Sequence, residues 1–322
     1  MNKLSPVLLM IDHFGSGGAQ RQIVAIANGL IQKGRCVHIV NYYPEYDHHR
    51  QKLDKRVVVH DLIKRDRLGI NVIFKLLLIM REYKYSSAMA FLDTPALYLE
   101  VAYILSPYKC KLIYSERSSL SLKKKGVLNF IKSWLHKTCS HFTSNSIVQT
   151  DLLKRKYGEG KVSYIPNIMD QSLFSHEQKL YKENVSRFVV LSHTRPFKNF
   201  QYVADALIAY KERYGDSPPT VDWYGTIYES MEMDRVLESL AKHDLKNNLV
   251  FHDAVSDVRS ILKQASFLIH VSKFESSPNA VSEALSSSTP VILGDIDEHK
   301  EIINRSSAGV IVNLNRPIEL SD

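Results

Sequence analysis

Short apolar, β-branched runs alternate with helix-length amphipathic segments along this chain, and that alternation restricts the fold more than any other feature. The strand-like runs of the first half are VLLMI, VHIVNYY, VVVHDL, SAMAFL, KLIYSE, FTSNS and VSYIPN. Segments such as AQRQIVAIANGLIQKG and TPALYLEVAYIL lie between them. The pattern resumes with RFVVLSH, TVDWYG, NLVFHD and FLIHVS, again separated by helical stretches. Alternating strand and helix predicts an α/β protein with parallel sheets covered by helices on both faces. At 322 residues the chain exceeds the size at which one hydrophobic core keeps growing, so two domains are expected. The polar segment DQSLFSHEQKLYKENVSR lacks a strand signal and marks the boundary. The expected division is a domain over 1–169, a linker over 170–187 and a second domain over 188–322.

Composition narrows the function classes. A hydrophobic fraction of 44% with 24% charged residues is ordinary for a globular protein. Cys36, Cys110 and Cys139 form no Cys-x-x-Cys pair, which favours a reducing, cytoplasmic setting and argues against a thiolate metal site. The 13 histidines include no His-Glu-x-x-His cluster, so no bound metal is expected. The opening MNKLSPVLLMID is too short in its apolar run for a signal peptide, and INVIFKLLLIM falls well short of a bilayer span. Charge is divided unevenly. Residues 1–165 carry 26 Lys/Arg against 12 Asp/Glu, a balance of +14, whereas residues 166–322 carry 16 against 22, a balance of −6. A basic half points to a polyanionic surface. Its densest stretch is KKKGVLNFIKSWLHK, where Val127, Leu128, Ile131, Trp134 and Leu135 share a helical stripe flanked by Lys132, His136 and Lys137. Such a helix either anchors at an anionic membrane surface or packs its stripe on its own domain. No basic strand interleaved with aromatics and no recognition-helix motif points to nucleic acid.

Three stretches carry chemistry. In SKFESSPNAVSEALSSSTPVI, Glu275 stands on a loop at a strand's C-terminal end and Glu283 on the first turns of the next helix. Carboxylates there accept hydrogen bonds from hydroxyls, which suits a polyol ligand in the crevice of an open α/β sheet. In IDHFGSGGAQRQIVAIA, the glycines Gly15, Gly17 and Gly18 let the backbone approach a ligand, and the helix N-terminus favours an anion. A dinucleotide fingerprint would need glycine at position 20, where Gln20 stands. In SHTRPFKNF, Arg195 and Lys198 lie at a strand-to-helix junction and suit a departing diphosphate.

Together these stretches resemble the family-4 retaining glycosyltransferases of the GT-B fold, from about Val7 to Val312. GGAQR is similar to the family's Gly-Gly-Ala-Glu-Arg loop, VSYIPNIMDQSLF to its Pro-Asn-Gly-Val-Asp segment, and ESSPNAVSEALSSSTPVI to its glutamate pair. The resemblance implies two Rossmann-like domains facing across a cleft, with the chain stopping at IVNLNRPIELSD before the family's last C-terminal helices. Carried over by position, Lys198 and Arg195 would neutralise the diphosphate and Glu275 would hold the sugar hydroxyls. Glu283 would hold the nucleotide ribose, with Gly225 beside the donor and the backbone of Asn279 and Ala280 donating from a helix N-terminus. Gly17 and Gly18 would approach the diphosphate from the other domain. Glu116, Arg117 and His13 are expected on the acceptor side. Departures are local: His193 stands at the family's usual arginine, Ser276 and Ser277 replace Gly-Phe, and Ser-Glu-Arg at 115–117 is a form found in bacterial surface-polysaccharide members.

The implied activity is transfer of a hexose or hexosamine from a nucleotide-diphosphate sugar to a lipid-linked saccharide with retention of configuration. A UDP-sugar is favoured over a GDP-sugar, and no metal or other cofactor is required. The place of work would be the cytoplasmic face of the cell membrane, in O-antigen or capsule assembly. The competing readings are a nucleotide-sugar epimerase of the same fold and a non-catalytic membrane-docking scaffold.

Overall fold

A computed structural model describes residues 5–118, 126–169, 187–255 and 257–322. The chain divides into two compact units, Met1–Ile168 and Met169–Asp322. Most of the expected linker, residues 170–186, lies outside the described residues. Arg187 already belongs to the second unit: its backbone pairs with Ser266 and its guanidinium reaches Asp222, Gln264 and Tyr224.

The first unit runs β1 (Val7–Met10), α1 (Gly18–Gln32), β2 (Val37–Asn41), β3 (Val58–Asp61), α2 (Ile70–Tyr83), β4 (Ser87–Phe91) and α3 (Asp93–Leu105). It continues with β5 (Lys111–Glu116), α4 (Val127–Leu135), β6 (His141–Ser144), α5 (Ile147–Tyr157) and β7 (Val162–Tyr164). Its strands form one parallel sheet in the order β3-β2-β1-β4-β5-β6-β7. β1 is buried on both faces, which is why its sequence is continuously apolar rather than alternating. Leu8 and Met10 join one core with Val40, Ala88 and Tyr114, while Val7, Leu9 and Ile11 join the other with Ile23 and Ala27 of α1. Ser146 caps α5 by accepting from the Gln149 backbone N–H at 3.1 Å, fixing where that helix begins.

The second unit runs β8 (Phe188–Leu191), α6 (Phe200–Tyr214), β9 (Val221–Tyr224), α7 (Met231–Lys242), β10 (Leu249–His252), α8 (Val258–Gln264) and β11 (Phe267–His270). α9 (Asn279–Ser286), β12 (Val291–Gly294), α10 (Asp297–Ser306), β13 (Gly309–Val312) and α11 (Ile318–Ser321) complete it. Its parallel sheet has the order β10-β9-β8-β11-β12-β13. Val189 and Val190 of β8 point to opposite cores, one lined by Leu268 and Val281, the other by Trp223 and Phe200.

In each sheet the strand order reverses once, between β1 and β4 in the first unit and between β8 and β11 in the second. The loops leaving the C-terminal ends of two such strands diverge and leave a crevice, where open α/β sheets bind ligands. Those loops hold His13, Gly17, Arg195, Lys198 and Glu275 among the residues singled out by the sequence.

Candidate functional site

β8 leads into Ser192–Asn199 and β11 into Val271–Pro278, so the reversal point of the second sheet brings Lys198 and Glu275 together although 77 residues separate them. Lys198 Nζ donates to Glu275 Oε1 at 2.5 Å, with both side chains largely covered. The two loops are fastened to each other. The Lys273 N–H donates to the Phe197 carbonyl at 2.8 Å, and Asn199 Nδ2 donates to the Val271 carbonyl at 3.2 Å. Asn199 sits in the left-handed region, φ 67°, which an asparagine tolerates and which lets the turn after Lys198 enter α6. A second ring reaches the same carboxylate: His270 Nε2 lies 2.9 Å from Glu275 Oε1. Burial alone would raise the pKa of Glu275, but the hydrogen bond and charge of His270, followed by Lys198, outweigh it and hold the carboxyl far below its ordinary value.

The neighbouring loop after β9 closes the other side. A Cβ on Gly225 would stand 2.1 Å from the Ser192 carbonyl oxygen, so only glycine allows the two backbones to pass. The Thr226 N–H donates to His193 Nδ1 at 3.1 Å, leaving the proton of that ring on Nε2. Burial, then Arg195 and Lys198, lower the basicity of His193, which keeps it neutral. Arg195 is exposed, its guanidinium 5.1 Å over the Tyr228 ring. Asn279 and Ala280 form the first turn of α9 after Pro278, and Glu283 on the same helix is buried at 4% exposure. The structure therefore gathers Lys198, Glu275 and their loops tightly, with His193, Arg195 and Gly225 on the adjoining strand ends. His270 was not among the residues the sequence marked. It closes an otherwise apolar strand, FLIH, and a polar residue ending such a run was the one available signal.

In the first unit, the loop after β1 is built around Asp12, whose Oδ1 accepts from the His13 N–H and from Gln20 Nε2. His13 Nδ1 accepts from the Gly15 N–H at 2.9 Å, so His13 serves the loop's own geometry. Gly17 is the N-cap of α1 and Gly18 its first residue, as a phosphate-approach loop requires. Glu116 and Arg117 do not pair with one another. Glu116 is fully buried; its Oε2 accepts from the Tyr114 hydroxyl at 2.8 Å and its Oε1 from Ser118. Arg117 donates to Ser115 Oγ and Asn167 Oδ1 and lies over Phe91, with burial lowering its pKa to about 10. Both residues thus turn into their own unit at the end of β5.

The basic amphipathic helix divides differently from its expected stripe. Phe130, Ile131 and Trp134 are exposed, Phe130 at 74%, while Leu135 is buried. Lys132 and His136, which flank that stripe in the sequence, turn inward because α3 offers them carboxylates: Lys132 Nζ donates to Asp93 at 2.7 Å, and His136 Nδ1 lies 2.6 Å from Glu100. Among the described residues no group of His, Cys, Asp and Glu is arranged to hold a metal ion, and no helix is long and apolar enough to cross a membrane.

The comparisons with known proteins follow this division. Glycosyltransferase Family 4 matches residues 16–173, and Glycosyl transferases group 1 matches residues 186–322. No curated protein sequence matches the chain. Among solved structures, the Anabaena protein Alr3699/HepE in complex with UDP superposes with a TM-score of 0.80 at 17% identity, over 98% of this chain and 88% of that one. The lipopolysaccharide outer core galactosyltransferase WaaB superposes with a TM-score of 0.75 at 13% identity, over 98% and 87%. WaaG, a glycosyltransferase involved in lipopolysaccharide biosynthesis, gives 0.73 at 14% identity, over 98% and 90%.

Proposed function

We propose that this chain, which belongs to the GT-B glycosyltransferases, moves a hexose or hexosamine from a UDP-sugar to a lipid-linked saccharide with retention of configuration, in surface-polysaccharide assembly. The observation that carries the reading is the Lys198–Glu275 pair at the reversal point of the second sheet. A largely covered cation and a carboxylate held side by side offer one donor for phosphate oxygens and one acceptor for sugar hydroxyls.

In this reading Glu283 takes the nucleotide ribose, the backbone of Asn279 and Ala280 donates to sugar or phosphate, and Gly225 leaves room beside the donor. The bond between the anomeric carbon and the β-phosphate oxygen breaks, and the carbon becomes oxocarbenium-like. Lys198 and Arg195 stabilise the charge that grows on the leaving diphosphate, a contribution of about 3–4 kcal/mol per well-placed donor. The acceptor oxygen forms its new bond on the face the diphosphate leaves, and its proton passes to the departing phosphate. These cations supply the positive charge, and no metal is required. The acceptor side of the first unit includes the loop of His13 and the β5 end that Glu116 and Arg117 shape. The nucleotide in the HepE complex favours UDP over GDP. The basic first half and the exposed Phe130, Ile131 and Trp134 support a peripheral position on an anionic membrane at the cytoplasmic face.

A thermal-shift panel of UDP, GDP, dTDP and ADP tests the donor. UDP at a hundred times its dissociation constant should add about 2.7 kcal/mol of stability, and silence from all four nucleotides would remove the reading. With the responding UDP-sugar, Lys198→Ala should lower turnover at least a hundredfold while Ser276→Ala changes it a few-fold. Equal losses would take Lys198 out of the catalytic role.

A further inference from the structure

Glu275 Oε1 is engaged twice, by Lys198 Nζ at 2.5 Å and by His270 Nε2 at 2.9 Å, whereas Oε2 accepts no hydrogen bond among the described residues. Two donors on one oxygen and none on the other is an arrangement that orients a carboxylate. A lone ammonium cannot do this, because its three protons rotate about a flexible stem and can follow either oxygen. An imidazole N–H has one direction. The carboxylate has no proton to give, so the His270 proton must be on Nε2.

His270 is itself fixed. It ends β11, is 3% exposed, and meets the His299 ring edge-on at 5.4 Å. His299 in turn is wholly buried and donates from Nδ1 to the Gly294 carbonyl at 2.9 Å, which anchors it to the end of β12. Burial holds His299 neutral, with its pKa lowered to about 3, so it presents a packing surface rather than a second charge. The Ser272 hydroxyl lies 3.4 Å from the same His270 nitrogen and covers its remaining side. The ends of three adjacent strands, β12, β11 and β8, thereby converge through His299, His270 and Lys198 on one oxygen of Glu275.

We infer that His270 is a positioning residue that pins Glu275 Oε1 and leaves Oε2 as the oxygen presented to the hydroxyls of the transferred sugar. This rests on Glu275 being the sugar-contacting carboxylate. In that reading His270 acts on the sugar directly through Glu275 and reaches the diphosphate only at one remove, through the oxygen that Glu275 shares with Lys198. Its loss should therefore separate sugar-dependent from nucleotide-dependent behaviour.

The test uses the full-length protein, UDP, and whichever of UDP-glucose, UDP-galactose and UDP-N-acetylglucosamine it hydrolyses fastest in the absence of acceptor. Release of UDP gives kcat/KM, and calorimetric titration with UDP gives the nucleotide Kd. His270→Leu should lower kcat/KM by ten- to a hundredfold while the UDP Kd moves less than threefold. His270→Gln, whose amide can donate to the same oxygen, should recover kcat/KM to within about fivefold of the parent. Glu275→Gln is the control. If Glu275→Gln loses activity and His270→Leu does not, the positioning role is overturned. If His270→Leu weakens UDP and the sugar reaction equally, or if His270→Gln fails as badly as His270→Leu, His270 is merely a core residue and the inference also falls. If Glu275→Gln is itself without effect, the assignment of the sugar to Glu275 fails first.

Discussion

Burial should strip the proton from His136, yet two carboxylates keep it on. Desolvation is the largest influence and lowers its basicity, but hydrogen bonds to Asp93 and Glu100 and their charges together exceed it, so the ring is raised above its ordinary 6.5. Asp93 and Glu100 from α3 face the ring, Tyr114 from β5 stacks on it at 4.5 Å, and Lys132 and Cys139 share its two carboxylates. A histidine whose folded value exceeds its unfolded one binds its proton more tightly in the native state. Its stabilisation is complete below about 6.5 and is lost as pH rises through the folded value. The urea midpoint of the first unit should therefore fall as pH is raised from 6 to 9, and His136→Gln should flatten that slope. An unchanged slope in the variant would mean that His136 is not the titrating group. The same residue shows what a sequence hides. Its partners lie 36 and 43 positions away on another helix, and no spacing rule within α4 turns His136 inward.

At the level of elements, reading the chain succeeded where burial is two-sided and faltered where it is one-sided. Central parallel strands such as β1 and β8 have to be apolar along their whole length, and their runs stood out at once. The glycine loop and the Glu275 loop were legible for the related reason that both leave strand ends at reversal points, where the chain must turn into a helix. His270 escaped because it occupies the last position of an apolar strand, where periodicity says nothing of a side chain's partner. In α4 the amphipathic pattern fixes which residues share a face but not which face is covered. Its Phe130, Ile131 and Trp134 face outward on a helix whose Lys132 is drawn under by Asp93. That face is the membrane-docking surface of the proposed function. Phe130→Asp with Trp134→Asp should lower co-sedimentation with phosphatidylglycerol vesicles at least tenfold while leaving binding of UDP unchanged. Equal vesicle binding by parent and variant would move the membrane contact elsewhere.

For the whole molecule, the chemistry and the charge are segregated. Lys198, Gly225, His270, Glu275 and Glu283 all belong to the second unit, which has two cores of its own, and the net positive charge belongs to the first half. A unit with its own sheet and cores on both faces can unfold as a cooperative body, so a chain of two such units need not melt in one step. Residues 1–168 and 169–322 expressed separately should each show a single unfolding transition. In the proposed reading UDP binds the native second unit, and such binding would shift that unit's equilibrium by mass action. In the separated pieces UDP should raise the midpoint of 169–322 and leave that of 1–168 where it was. The opposite result, a shift confined to 1–168, would transfer the nucleotide to the loop of Gly17 and Gly18 and leave the Lys198–Glu275 pair without its ligand.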